Sequence, residues 1–267
     1  MFTCLEILPE KEGFFTKMYE KIRPPYPDRE FVQLRGGTPF LRLKVRKNHI
    51  DWRKISACLT GDERKIVGDL NVSFPENITL ERCVPKSLGL SMMFRTFISL
   101  AEDIKKPEKL SVSVYDRNGA VIKNMKTLVP YVRNISVYTE KVKEYFYLSS
   151  EIMEEWGMCV KINEYSSHAF PEKIIIADDY SKDMSKSKIV FLGNKSVVSY
   201  NTVTGGNFNL DDEYKILKSN NIDDFTFASA LFEYNRVKLL GERQFDSFFL
   251  AGREIDIGCI SEHLNAL

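Results

Sequence analysis

Residues 110–139, LSVSVYDRNGAVIKNMKTLVPYVRNISVYT, decide the fold. The stretch begins and ends with short apolar runs rich in β-branched residues, Leu110–Tyr115 and Ile135–Tyr138. Between them lies a helical pattern that is interrupted by Pro130. Short apolar runs bounded by turn residues are typical of buried strands, and a helix between two of them indicates a parallel crossover. The stretch therefore predicts one β-α-β unit of a parallel sheet.

The same alternation continues to residue 200. A helix is predicted after residue 140, ended by Gly157, and its predicted packing face contains Val142, Phe146, Ser149, Ile152 or Met153, and Trp156. Further strands are predicted at residues 158–162, 173–177, 188–192 and 196–200. Because crossovers between parallel strands are right-handed, these elements predict an α/β fold. The predicted sheet is doubly wound, mostly parallel and Rossmann-like, with strand order 3-2-1-4-5-6.

The segment before this sheet, residues 1–109, predicts an N-terminal mixed α+β domain. Phe31–Arg35 and Phe40–Val45 flank a Gly-Gly-Thr-Pro turn, a pattern that indicates a hairpin. Ser87–Asp103 has the periodicity of an amphipathic helix. The polar, proline-containing segment Lys105–Lys109 marks the predicted end of this domain.

The segment after the sheet, residues 201–267, predicts a C-terminal α/β extension that packs on the other two domains. Its candidate elements are helices at 211–217 and 223–234 and a small hairpin at 248–257. The central Rossmann-like domain accordingly spans residues 110–200. The predicted organisation is therefore 1–109, 110–200 and 201–267.

Composition excludes several classes of protein. Of the 267 residues, 38 are Lys or Arg and 37 are Asp or Glu, so a net charge of +1 gives no general attraction to nucleic acid. No run approaches the roughly 18 apolar residues of a membrane span, and the start has no signal-peptide pattern, so we expect a cytoplasmic protein. The five cysteines and three histidines show no metal-ligand spacing, and no metal site is predicted. The sequence assigns no oligomeric state.

The candidate ligand-binding residues lie in the loops after the first, second and fourth predicted strands. In an open doubly wound sheet, ligands bind beyond the carboxyl ends of the strands, where the strand order reverses. The residues in these loops are Asp116, Arg117, Asn118, Gly119, Thr139, Asp178 and Asp179. They predict a cleft for a small molecule or a nucleotide, without assigning catalytic residues.

Over residues 110–200 the order of elements resembles the NAD(P)-binding Rossmann superfamily, and the whole chain resembles uncharacterised bacterial members with an added N-terminal domain. The resemblance implies NAD(P) as a cofactor and an oxidoreductase activity. However, the fingerprint G-x-G-x-x-G laid on the first loop puts Asp116, Asn118 and Val121 at the glycine positions. An aspartate there opposes a phosphate. The prediction is a Rossmann-like ligand-binding protein without glycine-loop dinucleotide binding, and an atypical NAD(P)-dependent oxidoreductase is an alternative.

The same loops also resemble those of haloacid-dehalogenase-like phosphatases, which carry D-x-D-x-[TV] after the first strand, Thr or Ser after the second, a Lys, and an acidic pair after the fourth. The matching residues are Asp116, Thr139, Lys161 or Lys173, and Asp178 with Asp179. Asn118 replaces the general acid. This resemblance implies a Mg²⁺-dependent phosphatase in which Asp116 attacks phosphorus. A non-catalytic protein-interaction module is the remaining alternative.

Overall fold

Two separate β-sheets, one of five strands and one of eight, organise the described part of the chain. The computed structural model describes residues 1–10, 13, 18–19, 22, 27–35, 37–68, 72–104, 110–165, 173–193 and 199–265. The chain forms two compact units, each assembled from two stretches of sequence. They are Met1–Pro85 with Leu210–Lys238, and Lys86–Asn209 with Leu239–Leu267.

Short 3₁₀ turns connect several of the strands and helices. The strands are β1 (Thr3–Leu8), β2 (Asp28–Val32), β3 (Phe40–Arg46), β4 (Lys65–Val67), β5 (Glu81–Arg82), β6 (Ser111–Tyr115), β7 (Asn134–Thr139), β8 (Val160–Glu164), β9 (Ile174–Ala177), β10 (Ile189–Leu192), β11 (Thr202–Gly205), β12 (Phe248–Leu250) and β13 (Arg253–Ile255). The helices are α1 (Trp52–Cys58), α2 (Ser87–Ala101), α3 (Met125–Leu128), α4 (Val142–Trp156), α5 (Asp212–Lys215), α6 (Asp224–Tyr234) and α7 (Ile257–Asn265).

The first unit is built on the mixed sheet β2-β3-β1-β4-β5. Its predicted hairpin is confirmed, since β2 and β3 pair antiparallel with Val32 opposite Phe40, but its first strand is Asp28–Val32 rather than Phe31–Arg35. Gly36 of the predicted turn lies outside the described residues. Strand β3 alternates between buried and half-buried positions, and its Leu43 packs in one cluster with Ile55 of α1. The alternation places Leu41, Leu43 and Val45 on the face of β3 that packs in this cluster.

The second unit is built on the sheet β13-β12-β11-β10-β9-β6-β7-β8. From β11 to β8 all neighbouring strands are parallel, and numbered along the chain from β6 their order is 3-2-1-4-5-6. This is the order that the sequence predicts, and the α/β class is confirmed. The strands β6, β9 and β10 are buried because they lie inside the sheet, which is why they read as short apolar runs.

The sixth parallel strand lies later than predicted. It covers Thr202–Gly205 rather than residues 196–200, of which 196–198 lie outside the described residues. The amide and the hydroxyl of Thr202 both donate to the carbonyl of Ser199, at 3.1 and 2.8 Å. Residues 199 and 200, the described part of the predicted strand, therefore belong to this turn. The antiparallel hairpin β12–β13 then extends the sheet beyond β11, and it confirms the predicted hairpin.

The two compact units differ from the three predicted segments 1–109, 110–200 and 201–267. The three-part domain division stays a prediction. Helix α2 belongs to the second unit, and twelve of its fifteen residues are buried, so it is a central helix rather than an amphipathic surface helix. Gly89 in its first turn allows a close backbone approach, since a Cβ there would lie 1.9 Å from the carbonyl oxygen of Gly193. Helix α6 belongs to the first unit because Phe227 packs its ring against Phe40. The predicted boundary, Lys105–Lys109, lies outside the described residues.

The packing face predicted for α4 is confirmed only at Ile152, one of the two alternatives that the prediction gave for its position. Its buried side chains are Tyr145 and Ile152, whereas Phe146 and Trp156 are 64% and 52% exposed. The hydroxyl of Tyr145 donates to a buried carboxylate of the sheet, which fixes the inward face. The predicted end of α4 is confirmed, because Gly157 caps it with φ 65° in the left-handed region that favours glycine. Among the described residues, no helix combines the length and apolarity that crossing a membrane requires.

Candidate functional site

The C-terminal ends of the parallel strands, which we call the carboxyl edge of the eight-stranded sheet, bring the predicted loops together. Tyr115 of β6 is in register with Tyr138 of β7 and with Ala177 of β9. The residues that follow these three, directly along each strand, are Asp116, Thr139 and Asp178. All three are buried. The parallel pairing of β6 with β7 and β9 thus places three of the predicted candidates at neighbouring positions of one edge.

Asp116 is completely buried and is bonded within its own loop. Its carboxylate accepts hydrogen bonds from the amides of Ala120 at 2.8 Å and Val121 at 3.0 Å, and from the hydroxyl of Tyr145 at 2.6 Å. Burial first, and then the negative charge of Asp116, raise the pKa of Tyr145 well above its usual value, so its hydroxyl stays a donor. In a dinucleotide-binding loop, backbone amides at this position face the diphosphate. Here these amides donate instead to the side chain of Asp116.

Arg117 lies on the exposed side of the same loop, where it contacts an aromatic pair. Its Nε donates to Glu140 Oε1 at 2.8 Å, and its guanidinium lies 5.2 Å from the ring centroid of Tyr165. The ring of Tyr115 lies 4.4 Å from that of Tyr165, and the Tyr115 hydroxyl donates to the Tyr165 carbonyl at 2.7 Å. Burial raises the pKa of both tyrosines, so both rings remain neutral. The loop after β8 therefore contributes an aromatic surface to the edge.

Asp178 is a buried carboxyl group in contact with Tyr165 of this aromatic pair. It is 4% exposed, and the hydroxyl of Tyr165 donates to its Oδ1 at 3.4 Å. Burial raises the pKa of Asp178 to about 6; the positive charge of Lys86 acts against this, and the negative charges of Asp179 and Asp116 add to it. Asp179 is half-exposed and forms an ion pair with Lys86, the residue before α2. Asp178 is thus a carboxyl group whose charge changes near neutral pH.

The remaining predicted residues either stabilise a local turn or lie away from the buried carboxyl groups of this edge. Thr139 Oγ1 accepts a hydrogen bond from the amide of Lys141 at 2.9 Å, so it caps the turn before α4. Gly119 has φ 75°, which permits the turn after β6, and Asn118 is exposed at its tip. Lys173 lies just before β9, at the N-terminal ends of the strands, whereas Asp116 lies at their C-terminal ends.

Neither implied cofactor fits the loop after β6. Mg²⁺ requires several oxygen ligands, and both oxygens of Asp116 already accept N–H or O–H donors. No group of three or more His, Cys, Asp or Glu side chains within the described ranges is placed to hold a metal ion. A diphosphate meets the carboxylate of Asp116 where it needs free amides. The phosphatase role of Asp116 is not supported either, since a fully buried and fully bonded carboxylate cannot attack phosphorus.

Sequence reasoning missed four residues that shape this edge: Lys86, Tyr115, Tyr145 and Tyr165. Tyr115 and Tyr165 stand at or just after strand ends, so the same strand-end rule identifies them once their aromatic character is considered. Tyr145 lies on the helix face that the periodicity did not select. Lys86 lies in the segment assigned to another domain, and no local signal connects it to the sheet.

A groove lies elsewhere in the second unit, beside the hairpin β12–β13. It encloses about 600 Å³ and is lined by residues 244–248 and 254–257. The hairpin pairs with β11 at the opposite side of the sheet from β8. The groove is wide and open to solvent, and it does not include the buried carboxyl groups of the carboxyl edge.

Comparisons with known proteins give a likeness of shape only. No family model matches the chain, and no curated protein matches it. Among solved structures, L-tryptophan dehydrogenase from Nostoc punctiforme matches with TM-score 0.28 and 12% identity over 99% of this chain and 79% of that one. Quinate dehydrogenase from Corynebacterium glutamicum in complex with NAD matches with TM-score 0.26 and 11% identity over 100% and 99%. Scores this low carry no argument about ligand or activity.

Proposed function

We propose that the carboxyl edge of the eight-stranded sheet binds a nucleoside or a mononucleotide. In this proposal the loop after β6 does not bind a dinucleotide as a glycine-rich loop does. The observation that carries the proposal is the buried carboxyl of Asp178, whose pKa is raised to about 6, beside the aromatic pair Tyr115 and Tyr165. A titratable group shifted by burial at a strand-order reversal is typical of a binding or active site.

The chemistry of the edge favours a flat ligand with polar ring edges. The half-buried ring of Tyr165, with the buried Tyr115 packed against it, can stack on a planar heterocycle, and the carboxyl group beside it accepts hydrogen bonds from ring N–H or amino groups. Lys86 and Arg117 are cations at this edge; each is paired with a carboxylate, Asp179 and Glu140 respectively, in whose place a single phosphate would bind. A nucleoside base with or without one phosphate combines these properties.

The loop after β6 limits the size of the ligand. Asp116 bonds the amides of Ala120 and Val121, so no diphosphate is held there. The oxidoreductase and phosphatase alternatives both require an anion or a metal at this loop, and the loop supports neither. Binding of a small ligand requires neither an anion nor a metal at this loop, so it is the function that the edge supports best.

Isothermal titration calorimetry with adenosine, guanosine, AMP, GMP and NAD⁺ tests the proposal. We expect one nucleoside or mononucleotide to bind, and Asp178→Asn to weaken it by about 10- to 100-fold, because a hydrogen bond to a charged group contributes about 1.5–3 kcal/mol. Asp212→Asn is the matched control, since the Asp212 side chain is 99% exposed in the first unit. Absence of binding at millimolar ligand, or an unchanged Kd in Asp178→Asn, contradicts the proposal.

A further inference from the structure

Helix α4 carries large apolar side chains that the fold leaves in solvent. Val142, Phe146, Met153 and Trp156 follow one another at spacings of three, four or seven residues, and we call them the α4 stripe. Their exposed fractions are 39%, 64%, 46% and 52%, and the neighbouring Tyr147 is 72% exposed. Contiguous exposed apolar surface of this kind marks an interaction site more often than chance exposure does.

The stripe runs along the side of α4 that borders strand β8. Ser149 Oγ donates to the carbonyl of Val160 at 3.3 Å, and Cys159 Sγ lies 4.0 Å from Met153 Sδ. On the other side of the helix, Lys126 forms ion pairs with the acidic residues Glu151 and Glu155. The apolar side chains and the last strand of the sheet therefore form one continuous margin.

Strand β8 is the end of the sheet at this margin. Among the described residues it pairs only with β7, so its outer backbone groups have no strand partner there. Edge strands of this kind accept a further strand. A partner that both pairs with β8 and covers the α4 stripe satisfies the two open surfaces together.

The margin is complementary to itself when two copies meet across a two-fold axis. In an antiparallel pair of α4 helices that cross at Ser149–Ser150, the small side chains lie at the crossing and Phe146 of one copy faces Met153 of the other. The same arrangement brings Lys143 near Glu154 of the other copy, and both are exposed. Packing and charge therefore both match a second copy of this chain.

We propose that a second copy of this chain covers the α4 stripe and the β8 edge in a two-fold dimer. At about 150–250 Å² for a full aromatic side chain, the exposed parts of the four stripe residues amount to roughly 400 Å² per copy. Two copies bury about 800 Å² through the stripe, and pairing of the two β8 strands adds the area that brings the contact to the roughly 1,000 Å² of a specific interface. The net charge of +1 produces little repulsion between copies.

Sedimentation velocity of the full chain from 1 to 100 µM tests the proposal. We expect a dimer, and Phe146→Glu with Met153→Glu to produce a monomer, since loss of an interface anchor weakens binding by about 30-fold or more. Both residues are exposed, so the fold is unaffected, and circular dichroism checks this. Ile216→Glu, at a residue 79% exposed in the first unit, is the control and stays dimeric. A monomeric wild-type chain overturns the proposal, and so does a dimeric double variant.

Charge reversal tests the antiparallel arrangement. Lys143→Glu and Glu154→Lys each place like charges together and weaken the dimer, whereas the double variant restores the opposite pair and the wild-type Kd. Additive weakening in the double variant overturns the arrangement. A dimer that is insensitive to all three variants overturns it as well.

Discussion

The buried carboxyl of Asp178 makes the stability of the second unit depend on pH. Its pKa is about 6 in the folded chain, against an ordinary value of 3.8, so the folded state holds the proton more tightly than the unfolded state. The contribution to stability is therefore complete below about pH 4 and is lost as pH rises from about 4 to 6. A difference of about two pH units, at 1.36 kcal/mol each, amounts to about 3 kcal/mol.

Asp178→Asn removes this dependence and keeps an acceptor for the hydroxyl of Tyr165. We expect the variant to exceed the wild type in free energy of unfolding by up to about 3 kcal/mol above pH 7. The difference should shrink towards zero near pH 4. Urea unfolding, followed by circular dichroism at several values between pH 4 and 8, measures it.

Asp212→Asn is the control, because its exposed side chain should give a curve parallel to the wild type at every pH. The reasoning fails if Asp178→Asn differs from the wild type by the same amount at pH 4 and pH 8. A gain at pH 7 also has a functional meaning, since groups that destabilise the fold are retained where they bind or react.

Three further substitutions test particular contacts, each by urea unfolding. Tyr145→Phe removes one donor from the buried Asp116 and should cost about 1.5–3 kcal/mol; a loss below about 0.5 kcal/mol would show that the carboxylate needs no third donor. Gly89→Ala drives a Cβ into the Gly193 carbonyl and should cost about 1–3 kcal/mol, and a stabilised variant contradicts the close approach. Asp51→Ala removes the N-cap of α1 and should cost about 0.5–2 kcal/mol, whereas Asp51→Ser should recover most of it.

The strand order of the second unit was accessible from the sequence because its strands are short, apolar and separated by turn residues. The run at Leu110–Tyr115 and those after it are buried inside the sheet, so their composition carries the signal without help from distant contacts. Once the order is known, the positions of Asp116, Thr139 and Asp178 at one edge follow from topology alone.

The rest depends on contacts between distant parts of the chain. Helix α4 has two apolar faces, and the buried Tyr145 and Ile152, with the hydrogen bond from Tyr145 to Asp116, identify the one that faces the sheet. The ion pair between Lys86 and Asp179 joins residues that are 93 positions apart. The grouping of α6 with the first unit rests on ring contacts with the N-terminal strands. Periodicity contains none of this information.

The carboxylate of Asp116 also affects the conformational entropy of the site. A glycine-rich phosphate loop becomes fully ordered when its ligand arrives, whereas the loop from Asp116 to Val121 is ordered when the chain folds. The ordering entropy therefore belongs to folding and is absent from binding. The amide hydrogens of Ala120 and Val121 should be protected from exchange in the ligand-free protein, and a ligand at the carboxyl edge should leave their exchange rates unchanged.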